Sequence, residues 1–576
     1  MTICSYYCEV IAPEAEEGIK RQTHLGILLR NNLLASALIF ALLQCWRPCF
    51  FLTDDNLDGG YPFFMGMGHR LLSGRSPFIS DYLFGGHYDL LRDPTFFSWH
   101  PLYLLVSLLA GTPFHFFIID VDAFVFFMLA TAGFVCLAHY LRGDMALEIN
   151  DGWIMFFTLS FTYSVMALTT GASWLNFLGN HSGLPWLALG ILQRTWRRGI
   201  IIVMLASLHS VLAGHLSPTV SGSILFTLFA LGVSLERRSI MPIGCWLLGY
   251  GLAIIIMLPL LVPMVEGFFT SWRAHGVSLD DMQSYNIPLG QMPIAFFIGT
   301  AVWLIQPDWD IQTTYTLALG ASAAAWCLLP ALTGSWKWRG LELVTFGMMI
   351  FVGVLIWRPL WITRIMIHLP LFKSMRWPFR ELLQFQFFFH LFLLLRPPGF
   401  TLRGRRITAF ASAATMVVPM LICPLPPSFN AMNIDRELLF TGGMDRYWDQ
   451  VRPMLQPGDR VAVLIPEKVY NLNRFAIPYS LLGTYNYAIV AHITNTWGYS
   501  PTAQGDQLYT RTYAYYPFGA YNPEPPYDQK ERLMAERPEL KFITLESLVP
   551  LRITLSSRDG PTVDLTPYVP KVKGMP

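Results

Sequence analysis

Charge is what this sequence has least of. Asp, Glu, Lys and Arg make up 14% of 576 residues, and 40 basic against 38 acidic side chains leave a net charge of +2. A balance so close to neutral gives no basic footprint for nucleic acid and no polybasic membrane switch. Cysteine is sparse as well. The eight are Cys4, Cys8, Cys45, Cys49, Cys136, Cys245, Cys327 and Cys423. With none beyond Cys423, the tail holds no disulfide of its own. The spacing matches no zinc-ligand pattern, and Cys4 with Cys8 is only a lone pair. A phosphate-binding loop with its Lys, a paired-histidine zinc helix and a nucleophile elbow are also missing, which argues against chemistry on a cytosolic nucleotide. No sustained internal repeat or low-complexity segment is evident.

What is abundant is apolar surface: 53% of residues are hydrophobic, 15% are aromatic, and mean hydropathy is +0.42. One soluble core would not bury so much. Marking runs of about 20 mainly apolar residues gives roughly eleven candidate spans. They are Asn31 to Phe50, Pro113 to Leu141, Trp153 to Thr170, Trp174 to Leu192, Ile200 to Ala213, Val220 to Leu235, Ile243 to Val265, Thr313 to Leu332, Leu341 to Trp357, Phe379 to Leu395 and Ile407 to Cys423. The short runs Pro101 to Ala110 and Pro293 to Ile305 start with proline and read as interfacial or re-entrant helices. The first run follows Lys20, Arg21 and Arg30, as in a signal peptide, and Leu42-Leu43-Gln44-Cys45 is similar to a lipoprotein cleavage box. Gln44 stands where a small residue is required, so the run reads as an uncleaved first span. The fold class expected is an α-helical polytopic membrane protein.

Basic residues order the topology. Lys20 and Arg21, Arg142, Arg194 with Arg197 and Arg198, Arg237 and Arg238, Lys337 and Arg339, and Arg396 with Arg403, Arg405 and Arg406 fall at every second loop. Short cytoplasmic loops collect such residues. The expectation is a cytoplasmic N-terminus over residues 1–30 and a transmembrane domain over 31–423, in the cell membrane and bacterial inner membrane. A large exported first loop would cover 51–112 and an exported α/β domain 424–576. After Cys423 the composition turns to Pro, Tyr, Asn and charge, with strand-like Arg460 to Ile465, Lys541 to Leu545 and Leu551 to Leu555.

The densest group of reactive side chains follows the first span directly, in Thr53-Asp54-Asp55-Asn56-Leu57-Asp58-Gly59-Gly60. A carboxylate held at the membrane surface there could act as general base on a hydroxyl if a lipid phosphate were the leaving group. The plain alternative is that these acids solvate a loop. Gly85-Gly86-His87-Tyr88-Asp89 and Arg92-Asp93 through Trp99-His100-Pro101 add histidines, acids and aromatics. Aromatic faces beside carboxylates suit sugars; Trp and Tyr also simply favour membrane interfaces. Asp120 and Asp122 fall about two turns inside the second span and on different sides of it, where acids are costly unless they face a wet cavity or a partner. Arg273 with His275, Arg364 with His368, and Lys373-Ser374-Met375-Arg376-Trp377-Pro378-Phe379-Arg380-Glu381 mark exported helix ends. Arg376 and Arg380 are the best candidates to grip a lipid-linked phosphate, because a guanidinium offers several donors in one plane. Interfacial anchoring is the competing use. His181 and His215 stand beside glycines near exported ends, where backbone groups commonly satisfy a lone histidine.

The arrangement resembles the GT-C superfamily of membrane glycosyltransferases, most closely its YfhO-like bacterial branch. The features that match in order are Asp54-Asp55 after the first span, the Asp81 to Pro101 segment, Gly179 to Trp186, Ala213-Gly214-His215, Arg376-Trp377-Pro378-Phe379-Arg380, Pro478-Tyr479-Ser480-Leu481-Leu482-Gly483 and Trp497-Gly498-Tyr499-Ser500-Pro501. The resemblance implies transfer of a sugar from a polyprenyl-phosphate donor to a glycan, lipid or other cell-envelope acceptor. Its base would be Asp54 or Asp55, with Asp58 the lesser choice. Asp58, His87, Asp89, Asp93, Asp122, His181, Arg273, Arg376 and Arg380 are the substrate-binding candidates. The Trp-Trp-Asp motif of oligosaccharyltransferases is missing, which excludes protein N-glycosylation. The Asp-x-Asp at Asp120 to Asp122 lies in a predicted span rather than a loop, so a divalent metal is an option and not a requirement. Two other functions stay open: a transporter or flippase of lipid-linked saccharides, and a non-catalytic membrane protein of envelope assembly.

Overall fold

The computed structural model describes residues 2–83, 88–92, 99–144, 147, 149–213, 215–270, 276–299, 317, 319–333, 338–369, 372–375, 377–398, 433–464, 479–483, 486–494, 531, 534–535 and 540–572, with side chains from Thr23 onward. It is mostly helical, and seven of the described helical segments are long and apolar enough to cross a membrane. The first of them lies within α1 (Thr2–Trp46). A π-helical turn, Asn56–Gly60, runs directly into α2 (Tyr61–Leu72), and the two-residue strands β1 (Ile79–Ser80) and β2 (Tyr88–Asp89) pair antiparallel. The proline-led run becomes the short helix α3 (Pro101–Ser107), capped by His100, whose Nδ1 accepts from Leu102 N at 3.2 Å.

The bundle continues with α4 (Ile118–Asp144), α5 (Asp151–Thr162), α6 (Val165–Ser173), α7 (Leu175–Leu192), α8 (Trp196–Ala213), α9 (Leu216–Arg237) and α10 (Met241–Thr270). Short helices α11 (Leu279–Gln283), α12 (Met292–Ile298) and α13 (Leu328–Thr333) lead to α14 (Gly340–Trp357), α15 (Leu360–Met366) and α16 (Leu382–Leu395). The α5–α6 pair together covers one span and is broken at Tyr163, with Ser164 accepting from Ala167 N to start the second half. Helix α7 is long enough but carries Asn176, Asn180, His181 and Pro185, and α16 has only 14 residues. Both are almost wholly buried among their neighbours. Of the expected spans, Ile407 to Cys423 and the start of Thr313 to Leu332 lie outside the described residues.

Outward faces explain why the bundle is suited to lipid. Leu34, Leu38 and Leu42 line one stripe of α1 at 59–63% exposure, and Ile255 and Ile256 of α10 are similarly bare. Apolar surface of that extent marks a lipid or protein contact. At one end of the bundle Arg194 and Arg237 both pair with Asp144, and Arg142 pairs with Asp151 at 2.7 Å. Three of the loops predicted to share a side therefore do meet.

Beyond the bundle lie α17 (Asn433–Phe440), α18 (Gly443–Val451), β3 (Arg460–Leu464), α19 (Tyr479–Leu482), α20 (Tyr487–Ala491), β4 (Leu540–Leu548), β5 (Leu551–Ser556) and β6 (Val563–Asp564). The sheet order is β3-β4-β5-β6, parallel between β3 and β4 and antiparallel after that; β3, β4 and β5 fall on the three segments that read as strand-like, and β6 adds a fourth. This region does not stand apart. One apolar core runs from Phe51 and Leu57 through Phe63 and Met67 of α2 to Leu438, Trp448, Leu482 and Ile543. Each such side chain, fully buried, contributes about 1.5–3 kcal/mol. At Gly66 the approach is so close that a Cβ would meet Ile489 Cγ2 of α20 at 2.7 Å.

Candidate functional site

The site grows out of a broken helix. The α6 helix ends and α7 begins at Trp174, whose extended backbone (φ −139°, ψ 89°) leaves carbonyls without helical partners on one side and an N–H on the other. Buried ends of this kind need side-chain partners. Asn56 supplies them: its Nδ2 donates to Gly171 O (2.7 Å), Ala172 O (3.0 Å) and Phe51 O (3.0 Å), and its Oδ1 accepts from Leu175 N (2.8 Å). Thr53 Oγ1 adds a bond to Ala172 O at 2.9 Å. The acidic loop is thus pinned to the break.

That pinning sets Asp54 and Asp55. Asp54 is buried at 2% exposure and its φ of +51° lies in the left-handed region, which Asp tolerates better than most residues. Asp55 Oδ2 accepts the indole N–H of Trp174 at 2.5 Å. The same indole faces Arg380, whose Cζ is 5.2 Å from the Trp174 ring, 5.7 Å from Phe177 and 4.7 Å from Trp377. Trp174 and Trp377 stack at 5.7 Å with 23° between their planes. A guanidinium stacked on aromatic faces keeps its N–H donors in its own plane, parallel to the rings, and that plane is the one in which oxyanions are gripped. Trp377 also takes a left-handed conformation (φ +63°), and buried Arg358 donates to Met282 O at 3.2 Å and Met375 O at 3.4 Å, fixing the segment that leads to Arg380. Residues in sparsely populated conformations cluster at functional sites because the surroundings must hold them there.

Asp58 turns the other way, into the contact with the C-terminal region. It is 1% exposed, and neither carboxyl oxygen has a hydrogen-bond partner among the described residues. The Tyr487 hydroxyl stands beside it without reaching hydrogen-bond geometry. Burial, with Asp435, Asp55 and Asp54 nearby, pushes the Asp58 carboxyl well above the usual carboxylate range. Asp435 itself accepts from Ser480 N at 2.8 Å and Ser480 Oγ at 2.5 Å, and Asn486 Nδ2 donates to Gly59 O at 3.3 Å. The π-helical turn is the joint between loop and C-terminal region; such turns are frequent at functional positions.

The remaining candidates disperse. Asp89 sits in β2, accepts from Leu91 N at 3.0 Å and lies 3.8 Å from Arg92 Nε. His181 is in the bundle interior, stacked on Phe161 at 4.2 Å. Asp122 is fully buried in α4, its oxygens without a hydrogen-bond partner among the described residues, near the Tyr103 hydroxyl that donates to Ala213 O. Asp120 Oδ1 accepts from Gln44 Nε2 at 2.5 Å and Phe51 N at 3.2 Å, so Asp120 ties the end of α1 and does not join Asp122. His87, Asp93, Arg273 and Arg376 lie outside the described residues. Among the described residues no group of three or more His, Cys, Asp or Glu side chains is placed to hold a metal ion.

Sequence reasoning missed Trp174 and Asn56, the two residues that assemble the site. Asn56 stood inside the acidic motif, and its position between three aspartates was the signal available. No protein-family model, curated protein or solved structure matches the chain.

Proposed function

We propose that this chain is a membrane glycosyltransferase of GT-C type that moves a sugar from a polyprenyl-phosphate donor to a saccharide, lipid or other cell-envelope acceptor on the exported face. The observation that carries this reading is the junction at Trp174, where the candidate base Asp55 and the candidate phosphate ligand Arg380 share one indole. These groups lie far apart in the chain, and a transferase needs both at the reacting centre.

The chemistry follows from their types. A loop aspartate, Asp55 or its neighbour Asp54, takes the proton of an acceptor hydroxyl as that oxygen attacks the anomeric carbon. The bond from that carbon to the phosphate oxygen breaks, and its electron pair leaves with the lipid phosphate, which Arg380 holds. Attack opposite the leaving group inverts the anomeric centre. The long apolar helices would admit the polyprenyl chain laterally from lipid, with the first loop and the C-terminal region on the exported side.

The test is sugar release from a radiolabelled panel of polyprenyl-phosphate sugars by the purified full-length protein, comparing wild type with Asp54→Asn and Asp55→Asn. Loss of about 10²–10⁴-fold in one of the two, with folding intact, identifies the base. No turnover with any donor removes the transferase reading.

A further inference from the structure

A separate cleft opens between α2, the turn that precedes α4 and the C-terminal region. Its volume is about 360 Å³, and Tyr61, His69, His115, Phe440, Asp445 and His492 are among its walls. Tyr61 begins one helical turn beyond Asp58, so the cleft lies next to the joint that holds the two regions together. Its polar groups are anchored: the Tyr61 hydroxyl pairs with His115 Nδ1 at 2.7 Å, and His492 Nδ1 pairs with the Tyr82 hydroxyl at 3.2 Å. The His69 and His492 rings meet edge to face at 5.8 Å.

The lining selects a class of ligand. Among the described residues no lysine or arginine lines the cleft, while one carboxylate, Asp445, does. That combination disfavours phosphate or any other free anion. The volume falls in the range in which ring-sized molecules bury most of their surface. Phe116, stacked on Tyr61, and Phe440, with Arg436 over one of its faces, stand 4.9 Å apart and perpendicular as aromatic walls, and three imidazoles with a carboxylate offer both donors and acceptors. Burial, with His69 and Arg452 close by, lowers the His492 pKa and favours its neutral form. Aromatic walls beside mixed hydrogen-bonding groups fit the C–H face and the hydroxyls of a pyranose.

We propose that this cleft is a binding site for a neutral saccharide, with Asp445 and His492 as its hydrogen-bonding anchors. That the bound saccharide is the acceptor rests on the transferase reading; that the cleft binds one does not.

Saturation-transfer NMR on the full-length protein in nanodiscs tests it, using the methyl glycosides of glucose, galactose, mannose and N-acetylglucosamine, with inorganic phosphate as the charged probe. At least one glycoside should bind. Asp445→Asn should weaken it about tenfold or more, as expected for losing a hydrogen bond to a charged group. Met65→Trp, which fills the cleft from α2, should abolish it while an unchanged unfolding midpoint shows the fold intact. Asp55→Asn, outside the cleft, should leave binding in place. The proposal falls if no glycoside binds, if both cleft variants bind as wild type does, or if phosphate binds and the glycosides do not. Binding without transfer from any donor would keep the saccharide site and remove the transferase; transfer without glycoside binding would do the reverse.

Discussion

The indole N–H of Trp174 donates to the Asp55 carboxylate at 2.5 Å, and the ring that carries it lies 5.2 Å from the Arg380 guanidinium. One side chain therefore touches both a negative and a positive group of the proposed centre. Trp174→Phe keeps the aromatic face for Arg380 but removes the donor. Turnover in the sugar-release assay is expected to fall about tenfold to a hundredfold, the rate equivalent of one charge-assisted hydrogen bond, with donor affinity little changed. Equal activity in the Phe variant would mean that Asp55 needs no orientation from Trp174.

Arg380 should respond differently. Arg380→Lys retains the charge but loses the planar stack on Trp174, Phe177 and Trp377. Since the proposed role is to hold the donor phosphate, the expected result is a rise in KM for the polyprenyl-phosphate sugar of about tenfold, exceeding any change in kcat. A kcat effect alone, with KM unchanged, would place Arg380 in the transition state only.

Much of the architecture was legible because apolar runs and strand alternation are local signals. The strands at Arg460, Lys541 and Leu551 appear where they were expected, and Asp55 and Arg380 meet at the Trp174 indole although they lie far apart in the chain. Trp174 was not legible as a site residue. A tryptophan at a helix end has an ordinary interfacial use, and nothing local in Gly171-Ala172-Ser173 announces that the helix breaks there. The meeting of Asp58 with Asp435 and Tyr487 was equally hidden, because it depends on the C-terminal region packing onto α2 through Gly66 and Ile489.

Asn56 tests the scaffold and not the chemistry. Asn56→Ala strips partners from the Gly171 carbonyl and the Leu175 N–H, both at a buried helix break. Leaving buried backbone groups unpaired costs about 1–3 kcal/mol each, so thermal unfolding should show a marked fall in the midpoint. Asn56→Asp keeps the acceptor for Leu175 N yet sets a carboxylate against the Gly171 and Ala172 carbonyls. It should be at least as damaging as alanine; a benign aspartate would show that the carbonyl contacts contribute little.

The buried Asp58 carboxyl makes the joint between the first loop and the C-terminal region sensitive to pH. Its folded-state pKa is raised well above the unfolded value of 3.8, by burial first and then by Asp435, Asp55 and Asp54. Between those two values the folded protein holds a proton that the unfolded chain has released, so stability must decline as pH rises through that window. The stabilising contribution is complete below the unfolded pKa and is spent once the pH passes the folded one. Asp58→Asn keeps the shape and the neutral state but cannot ionise. Thermal unfolding of both proteins from mildly acidic to neutral pH should show the variant gaining on wild type as pH increases, with the two converging in acid. Parallel curves across the whole range would show that Asp58 is ionised in the folded protein, held by compensating charge that its surroundings supply.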